Sequence, residues 1–282
     1  MFENLESKFI EADGLKTHYV EQGEGPPLVL IHGGGAGADG RSNFFQNFPT
    51  FSSNYRTIAY DMPGFGLTAK PDPEDYVYSQ ENRHKHLIAF IEALGFGPAH
   101  LIGNSMGGSA ACGAAINRPD LVRSQVLMGA AVNVTAKDMS EQRERMGKVL
   151  HFDGTREGIG RLMEALTHSY KPTQELMAYR HEMATREDTQ MAFQAIMAWA
   201  GANGLAYDEA EFADIDVPTL VVAGQDDIIV TIDKAYDLLA KIPHAEGHFY
   251  PDCGHWVMVE KPDQFCELTM NFFARTDRGL NG

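Results

Sequence analysis

A serine set between glycines is the residue of this chain best placed for covalent chemistry. Gly103-Asn104-Ser105-Met106-Gly107 matches the pattern G-x-S-x-G and stands between a short apolar run and a segment rich in Gly and Ala. A sharp turn from strand to helix needs glycines on both sides of the serine, because bulkier side chains would collide. The turn would hold the hydroxyl at a helix N-terminus, where partial positive charge stabilises an oxyanion. We predict a nucleophilic serine; a turn whose serine merely caps the helix is the alternative.

A serine hydroxyl is a poor nucleophile alone, so it needs a histidine base and an acid that orients the histidine. His255 follows the last predicted strand, within PDCGHWVMVE, and Asp226 and Asp227 follow the strand pattern VPTLVVAG. The order serine, acid, histidine, with each residue at a strand end, is typical of one parallel-sheet architecture. We predict His255 as the base and one of the two aspartates as its partner.

A glycine-rich loop, His32-Gly33-Gly34-Gly35, follows the first buried strand. Residues without side chains let backbone N–H groups come close to a substrate oxygen. Together with the N–H of Met106, these groups could form an oxyanion hole.

The same loop also fits a different pattern. Gly35, Gly37 and Gly40 match G-x-G-x-x-G, and Asp61 follows about twenty residues later, which is the outline of a dinucleotide-binding fingerprint. The hairpin before the loop and the later serine turn argue against this interpretation, which would make the protein an oxidoreductase.

The other histidines are predicted to be structural. His244 and His248 lie in HAEGH, which is not the H-E-x-x-H order of a zinc site, and no third ligand is near in the sequence. We therefore expect no metal. His84 and His86 are expected on a solvated helix face together with their charged neighbours.

The elements that must position these residues follow from the hydrophobic pattern. Short apolar runs alternate with helical patterns and predict an α/β fold, a mostly parallel central sheet with helices on both faces. The strands are predicted at 6–12 and 15–22 (a hairpin), 27–31, 56–60, 100–103, 124–130, 217–224 and 246–250, and the helices at 43–53, 79–94, 106–116, 231–241 and 262–274. Residues 134–210 read as several helices without a strand. We expect a core domain of residues 1–133 and 211–282 and an inserted helical lid at 134–210.

Charge and composition exclude several classes of protein. The net charge of −16 should repel nucleic acid and anionic membrane surfaces, so neither is an expected partner. Three scattered cysteines, at positions 112, 253 and 266, do not make a disulfide framework. The start of the chain, MFENLESKF, lacks the basic flank and apolar core of a signal peptide. We expect a cytoplasmic protein.

The chain resembles the meta-cleavage-product hydrolases of the α/β-hydrolase superfamily. The matching stretches are HGGGAGADGRSNF, DMPGFGLTAKP, LIGNSMGGSA, VPTLVVAGQDD and CGHWVMVEKP. These enzymes cleave a carbon–carbon bond in 2-hydroxy-6-oxohexa-2,4-dienoates during bacterial breakdown of aromatic compounds. Within the family, the similarity points to the branch that acts on aryl-substituted dienoates, such as those of biphenyl, carbazole or dibenzofuran pathways. The resemblance implies the α/β-hydrolase fold, no cofactor, and a dimer or larger homo-oligomer.

The resemblance also implies the catalytic residues. Ser105, Asp227 and His255 match the triad, and the spacing from Gly224 favours Asp227 over Asp226. The implied reaction cleaves C5–C6 of a 2-hydroxy-6-oxo-6-arylhexa-2,4-dienoate and gives 2-hydroxypenta-2,4-dienoate and an aromatic acid. A general carboxylesterase on the same scaffold is the alternative, because it shares the triad.

The remaining implied residues bind the oxyanion and the substrate. The backbone oxyanion donors are Gly34 and Met106, with Gly35 beside them. The substrate contacts are Asn43, Asn104, Arg180 and Trp256. An arginine suits a planar carboxylate because its guanidinium donates two parallel hydrogen bonds. From the residues alone, Arg180 could instead form a surface ion pair, Asn43 could cap a helix, and Trp256 could belong to the core.

The predicted lid also carries apolar side chains that are candidates for an aryl pocket: Met163, Leu166, Met177, Met197 and Trp199. At helical spacing, such residues equally suit a plain core.

Overall fold

One sheet of eight strands runs through the part of the chain that the structure, a computed structural model, describes (residues 5–279). The strands are β1 (Lys8–Ala12), β2 (Leu15–Gln22), β3 (Pro27–Ile31), β4 (Arg56–Tyr60), β5 (Ala99–Asn104), β6 (Val122–Met128), β7 (Thr219–Gly224) and β8 (Glu246–Tyr250). For residues 145 and 148–150, the structure describes the backbone but not the side chains. The segment that lacks the features of a signal peptide includes residues 1–4, which also lie outside the described residues.

The order of the strands across the sheet is β1-β2-β4-β3-β5-β6-β7-β8. β1 and β2 form the predicted hairpin, β2 runs antiparallel to β4, and all other neighbouring strands are parallel. This arrangement confirms the predicted α/β class. The carboxyl ends of the parallel strands share one edge of the sheet, which is where such folds bind ligands.

The central strands are apolar because both of their faces are covered. Every residue of β5 and β7 is buried, as are the last four residues of β3. In the register of the sheet, Ile31 pairs with Gly103, and Asn104 pairs with Met128. This register places the glycine-rich loop after β3 directly beside the turn at Ser105.

The helices of the described chain fall into two groups. Those that cover the sheet are α1 (Gly40–Phe44), α2 (Phe48–Phe51), α3 (Gln80–Leu94), α4 (Met106–Asn117), α10 (Ile232–Lys241), α11 (Val257–Glu260) and α12 (Pro262–Asp277). Those between β6 and β7 are α5 (Ala136–Leu150), α6 (Arg156–Ala165), α7 (Gln174–Thr185), α8 (Glu187–Asn203) and α9 (Glu209–Ala213). None of the described helices is long and apolar enough to cross a bilayer.

The prediction of a single helix over 43–53 is wrong. The segment forms the end of α1 and, after a break, the short helix α2. Pro49 is the second residue of α2 and has no N–H with which to continue the hydrogen bonds of α1.

Small residues in α4 allow this helix to lie directly on the sheet. A Cβ atom added at Gly107 would lie 2.3 Å from the carbonyl oxygen of Ile31, and one added at Gly108 would lie 2.5 Å from Cβ of Ala130. Close packing of this kind explains the run of Gly and Ala that follows the serine.

The prediction that His84 and His86 lie on a solvated face of α3 is also wrong. Arg83, His84 and His86 are buried, and only Lys85 of this group is exposed. Nδ1 of His86 lies 2.6 Å from the hydroxyl of Tyr60. Burial lowers the pKa values of His84 and His86 to about 4, so both are neutral at pH 7. Internal hydroxyl partners, which the local sequence does not reveal, make this polar face compatible with burial.

Candidate active site

Ser105 occupies a strained turn between β5 and α4. Its φ of 54° and ψ of −117° lie in a region that non-glycine residues rarely adopt. Such a conformation costs about 1–3 kcal/mol and persists only where the surroundings impose it. Here the N–H of Ser105 donates to the carbonyl of Met128 at 3.0 Å, and its carbonyl accepts from the N–H of Ala131 at 3.1 Å. A Cβ atom at Gly103 would lie 2.5 Å from the Gly107 carbonyl oxygen, so the turn requires this glycine.

His255 and Asp227 form a buried hydrogen-bonded pair. Nδ1 of His255 lies 2.7 Å from Oδ2 of Asp227, and both side chains are nearly inaccessible to solvent. The other carboxylate oxygen of Asp227 accepts from the N–H groups of Ile229 and Val230 at 2.8 and 3.0 Å. A carboxylate held in this way requires the proton on Nδ1 of the histidine, which leaves Nε2 free to act as a base.

The structure distinguishes the two candidate aspartates. Asp226 points to the surface, where its carboxylate accepts from the N–H of Cys253 at 3.3 Å and lies 3.4 Å from Nδ1 of His168. No hydrogen bond or ion pair joins Asp226 to His255 in the described residues. Asp227 is therefore the carboxylate that can orient His255.

A cavity of about 160 Å³ collects most of the predicted site residues. Its lining includes Gly34, Gly35, Asn43, Asn104, Ser105, Met106, Arg180, His255 and Trp256. Of the predicted catalytic, oxyanion-hole and substrate-contact residues, all of which the structure describes, Asp227 alone is absent from the lining; it lies behind His255, to which it is hydrogen-bonded. Most of the other described lining is apolar, so a charged group inside the cavity interacts with little competition from water.

The glycine-rich loop lies between the serine turn and Arg180. A Cβ atom added at Gly34 would lie 2.7 Å from Cε of Met106, and one added at Gly35 would lie 3.2 Å from Nη2 of Arg180. The loop thus lies against the side chains of Met106 and Arg180. A Cβ atom added at Gly33 would lie 3.4 Å from Cβ of Ser105, so the loop is also beside the serine. His32 holds the start of the loop in place, because its Nδ1 donates to the carbonyl of Gly33 at 2.7 Å.

His32 is a positioning residue that sequence reasoning treated only as the start of the loop. Its second ring nitrogen, Nε2, accepts from the N–H of Met62 at 3.0 Å, after β4. Burial lowers the pKa of His32 to about 4. The neutral ring can therefore donate through Nδ1 and accept through Nε2 throughout the neutral pH range, which ties the loop to the sheet.

Arg180 is a buried cation that lacks a carboxylate partner among the described residues. Nη2 donates to the carbonyl of Ala36 at 3.1 Å, whereas Nη1 is buried without a hydrogen-bond partner. The guanidinium lies 5.1 Å from the ring centre of Trp256, a cation–π distance. Burial lowers the pKa of Arg180 to about 10, so it remains charged at neutral pH. An anion in the cavity would supply the missing partner.

Asn43 and Asn104 contact each other in the lining of the cavity. Nδ2 of Asn43 donates to Oδ1 of Asn104 at 3.1 Å, and Nδ2 of Asn104 donates to the carbonyl of Met128 at 3.2 Å. The cap of α1 is Asp39, whose carboxylate accepts from the N–H of Ser42. Asn43 therefore does not cap a helix, and its side chain is directed to the site.

The glycines of the G-x-G-x-x-G pattern have other roles in this fold. A Cβ atom at Gly37 would lie 2.0 Å from the carbonyl oxygen of Arg180, and one at Gly40 would lie 2.9 Å from the backbone of Ala59. The carboxylate of Asp61 is buried and accepts from His18, Gly40 and Leu67, so it is not available to a ribose. The helix after the loop, α1, has only five residues. The dinucleotide interpretation therefore loses its structural basis.

The predicted aryl-pocket residues separate into two groups. Met163, Leu166 and Met197 line the cavity. Met177 and Trp199 are absent from the described lining and pack against the two apolar cores of the molecule.

Ionisable groups that could hold a metal lie away from this cavity. Among the described residues, ligand atoms of His168, Asp226 and Asp252 lie within 4.8 Å of one another on the surface. All three side chains are exposed, and exposed groups at such distances are common without an ion. His244 lies in the turn before β8, whereas His248 lies on this strand, so the two do not share one strand face.

Glu260 is a residue of the site region to which the sequence analysis gave no role, although it stands within the matched stretch CGHWVMVEKP. Its carboxylate accepts from the N–H of Gly254 at 2.7 Å, and from those of His168 and Ser169 at 2.9 and 2.8 Å. The N–H of Trp256 also donates to the carbonyl of Leu166 at 2.9 Å. The segment after α6 is thus fastened to the residues on both sides of His255.

This geometry predicts an acid-sensitive contribution of Glu260 to stability. Burial opposes the charge, but the N–H donors of His168, Gly254 and Ser169 outweigh it and lower the pKa of Glu260. A carboxylate with a lowered folded-state pKa stabilises the fold above its unfolded pKa of about 4.3 and loses this contribution as pH falls through the folded pKa. Urea unfolding of the wild type and Glu260→Gln should give a difference in free energy that is constant above about pH 5.5 and shrinks below about pH 4. Glu267→Gln, at an exposed site on α12, is the control; a pH-independent difference for Glu260→Gln would contradict the prediction.

The chain is similar to known proteins over nearly its whole length. A family profile described as alpha/beta hydrolase fold matches residues 26–262. A 2-hydroxy-6-oxo-6-(2'-aminophenyl)hexa-2,4-dienoic acid hydrolase of Metapseudomonas resinovorans is 41% identical over 271 residues, which cover 95% of this chain and 91% of that protein.

Solved structures of hydrolases are also similar to this chain over nearly its whole length. A serine hydrolase involved in carbazole degradation has a TM-score of 0.86 at 40% identity, with 96% of this chain and 99% of that chain covered. A meta-cleavage product hydrolase has a TM-score of 0.84 at 32% identity, with 95% and 98% covered.

Proposed function

The chain belongs to the α/β-hydrolase fold family and, within it, to the meta-cleavage-product hydrolases, and we propose that its substrate is a 2-hydroxy-6-oxo-6-arylhexa-2,4-dienoate. Hydrolysis of the C5–C6 bond gives 2-hydroxypenta-2,4-dienoate and an aromatic carboxylic acid. The observation that carries the proposal is Arg180, a buried cation with an unpartnered Nη1, in the same mainly apolar cavity as Ser105 and His255. A small molecule with one carboxylate and an apolar aryl group matches that combination.

In the inner cavity, the substrate carboxylate binds Arg180. The guanidinium donates to the carboxylate, and Trp256 keeps the guanidinium in place through its ring face. Asn43 and Asn104 bind the polar end of the dienoate beside this carboxylate. The aryl group then takes the apolar part of the lining, which includes Met139, Leu205, Ile229, Val230 and the predicted residues Met163, Leu166 and Met197.

The first chemical step is ketonisation. The proton of the 2-hydroxyl is lost and C5 gains a proton, which leaves a ketone at C2 conjugated with the C3–C4 double bond. This tautomer is necessary because carbon is otherwise a very poor leaving group. After ketonisation, the electron pair of the C5–C6 bond can be delocalised onto the oxygen at C2.

The second step is acyl transfer to the serine. Oγ of Ser105 forms a bond to C6 while Nε2 of His255 takes its proton, with Asp227 holding the ring in the required tautomer. Backbone N–H groups at Gly34 and Met106, beside Gly35, stabilise the oxyanion; loss of one such donor costs about 3–4 kcal/mol in other hydrolases. The C5–C6 bond breaks, the dienolate oxygen takes a proton from His255, and water hydrolyses the remaining ester to the aromatic acid. No cofactor is needed.

The test is direct. Purified protein is mixed with 2-hydroxy-6-oxo-6-phenylhexa-2,4-dienoate, and the loss of its yellow absorbance is followed together with the formation of benzoate. We expect bleaching with one benzoate per dienoate consumed. Bleaching without benzoate would mean tautomerisation alone, and turnover of a neutral phenyl ester without bleaching would favour the carboxylesterase alternative.

Three further assignments belong to the same proposal. Residues 1–133 and 211–282 act as the core domain and residues 134–210 as a lid over the cavity; the five helices between β6 and β7, the last of which ends at Ala213, support this division. The protein works in the cytoplasm as a homo-oligomer, a dimer or larger. It binds neither nucleic acid nor membrane, because its net charge of −16 opposes both.

A further inference from the structure

A second cavity, of about 930 Å³, adjoins the one that contains Ser105. Five residues line both cavities: Ala36, Met139, Gln142, Phe193 and Met197. The outer cavity is otherwise bounded by α5, α8 and the segment around Phe152, and we call it the vestibule. The five shared residues form the boundary between the vestibule and the inner cavity.

The vestibule has an unusual charge for this protein. Asp and Glu make up 39 of the 282 residues, yet no described residue that lines the vestibule is acidic. The ionisable residues of its described lining are Arg143 and His151. An anion that approaches a chain of net charge −16 therefore meets less repulsion here than the overall charge implies.

Arg143 is placed at this opening by the geometry of α5. Met139, Gln142, Arg143 and Met146 are spaced i, i+3, i+4 and i+7, so they share one face of the helix. Met139 and Gln142 of this face line both cavities. Nη2 of Arg143 lies 3.1 Å from where a Cβ atom of Gly201 would be, so the guanidinium reaches across the vestibule from α5 to α8.

The guanidinium of Arg143 is available to bind an anion, because the nearby carboxylates do not pair with it. Among the described residues, no carboxylate forms an ion pair with it; on the same helix, Glu141 lies 3.7 Å from Lys137, and Glu144 is exposed. On α8, Asp188 is engaged by Lys70 and Arg186, at 3.8 and 3.6 Å.

We propose that the vestibule is the access route of the substrate and that Arg143 is a first binding site for the carboxylate of the dienoate, which then moves inward to Arg180. The inference rests on the proposed function, because it requires an anionic substrate. A fixed cation at the mouth of an otherwise non-acidic opening raises the local concentration of the anion and its rate of association. Of the five residues shared by the two cavities, all except Gln142 are apolar, which suits the aryl part of the same molecule.

The charge test compares Arg143→Gln and Arg143→Glu with Lys137→Gln. Lys137 is a matched control because it is highly exposed on the same helix, and its substitution removes the same charge without touching the vestibule. Association of the phenyl dienoate is followed by stopped flow, through the absorbance change on binding, with each substitution in a Ser105→Ala background that blocks turnover. At low ionic strength we expect association about 3-fold slower for Arg143→Gln and about 10-fold slower for Arg143→Glu, with less than a 1.5-fold change for Lys137→Gln. The differences should vanish near 0.5 M salt, because screening is then nearly complete over a few ångströms.

The route test uses Ala198→Trp. Ala198 is exposed and lines only the vestibule, so a tryptophan there narrows the route without altering the inner cavity. Its kcat/KM should fall at least 3-fold for both the dienoate and a neutral phenyl ester, whereas Arg143→Gln should affect only the dienoate. Equal association rates for Arg143→Gln and Lys137→Gln at low salt would overturn the role of Arg143, and unchanged kcat/KM for Ala198→Trp would overturn the route. Absence of dienoate cleavage by the unmodified protein would instead overturn the proposed function.

Discussion

Replacing Ser105 with alanine is expected to lower the rate of C–C cleavage by on the order of 10⁴- to 10⁶-fold, the range found when one member of a catalytic triad is removed. Alanine has no oxygen to bond to C6, so neither the tetrahedral intermediate nor the ester can form. The lining around Arg180 is unchanged, so the substrate should still bind. Measurement of benzoate release under saturating phenyl dienoate checks the first expectation, and a stable absorbance change on mixing checks the second.

The matched control is Ser109→Ala. Ser109 lies four residues further along on α4, and its buried hydroxyl oxygen has no hydrogen-bond partner. Loss of this hydroxyl should leave turnover within about 2-fold of the wild type, because the hydroxyl oxygen makes no hydrogen bond that the substitution would remove. If Ser105→Ala retained more than a tenth of wild-type turnover, nucleophilic catalysis by Ser105 would be excluded.

Replacing Arg180 with glutamine is expected to lower kcat/KM for the dienoate by about 30- to 1000-fold. The basis is the loss of about 2–4 kcal/mol when one partner of a buried, hydrogen-bonded charge pair is removed. The glutamine amide can still donate to the carbonyl of Ala36, but it carries no charge. The free protein should not lose stability, because the substitution removes a buried cation that lacks a carboxylate partner among the described residues. Steady-state kinetics together with urea unfolding separates these two effects.

Arg161→Gln provides the comparison for Arg180→Gln. Arg161 is an exposed arginine of α6 that pairs with Asp153. Its replacement makes the same charge change among the helices between β6 and β7, outside the described lining of the cavity. Its kcat/KM should change by less than 2-fold. A neutral phenyl ester provides the second comparison, because it has no carboxylate for Arg180 to bind. An equal loss for ester and dienoate in Arg180→Gln would mean a general distortion of the site and would contradict carboxylate recognition.

The strained backbone of Ser105 is related to the position of its side chain. Its positive φ has a cost that the fold tolerates because hydrogen bonds to Met128 and Ala131 fix the turn on both sides. The same turn places its hydroxyl at the start of α4 and beside the glycine-rich loop. A locally unfavourable backbone conformation is thus found at the residue on which the proposed chemistry depends.

Much of the architecture could be predicted from the sequence, because it depends on the types of residues that are close together along the chain. Continuous apolar runs predicted β3, β5 and β7, since strands covered on both faces need apolar residues throughout. Glycines beside Ser105 predicted the sharp turn, since only small residues fit there. The family could be recognised for the same reason: its motifs are short segments whose residues meet local requirements.

Contacts between distant segments decided the rest. Asp226 and Asp227 are adjacent in the sequence, and only the packing of the loops after β7 and β8 turns the second one toward His255. The polar face of α3 is buried because its hydroxyl partners come from other elements, including Tyr60 of β4. The carboxylate of Glu260 joins the segment after α6 to the loop of His255 across more than ninety residues.

The sequence by itself therefore determined the fold class, the serine turn and the order of the proposed catalytic residues, because each depends on neighbours along the chain. Only the tertiary structure decided which aspartate pairs with the histidine and that Arg180, of α7, is buried in the cavity. It also decided that the described lining of the vestibule contains no acidic residue. These features depend on the distances and solvent exposure that arise when separate elements pack together, and side-chain type and spacing do not specify them.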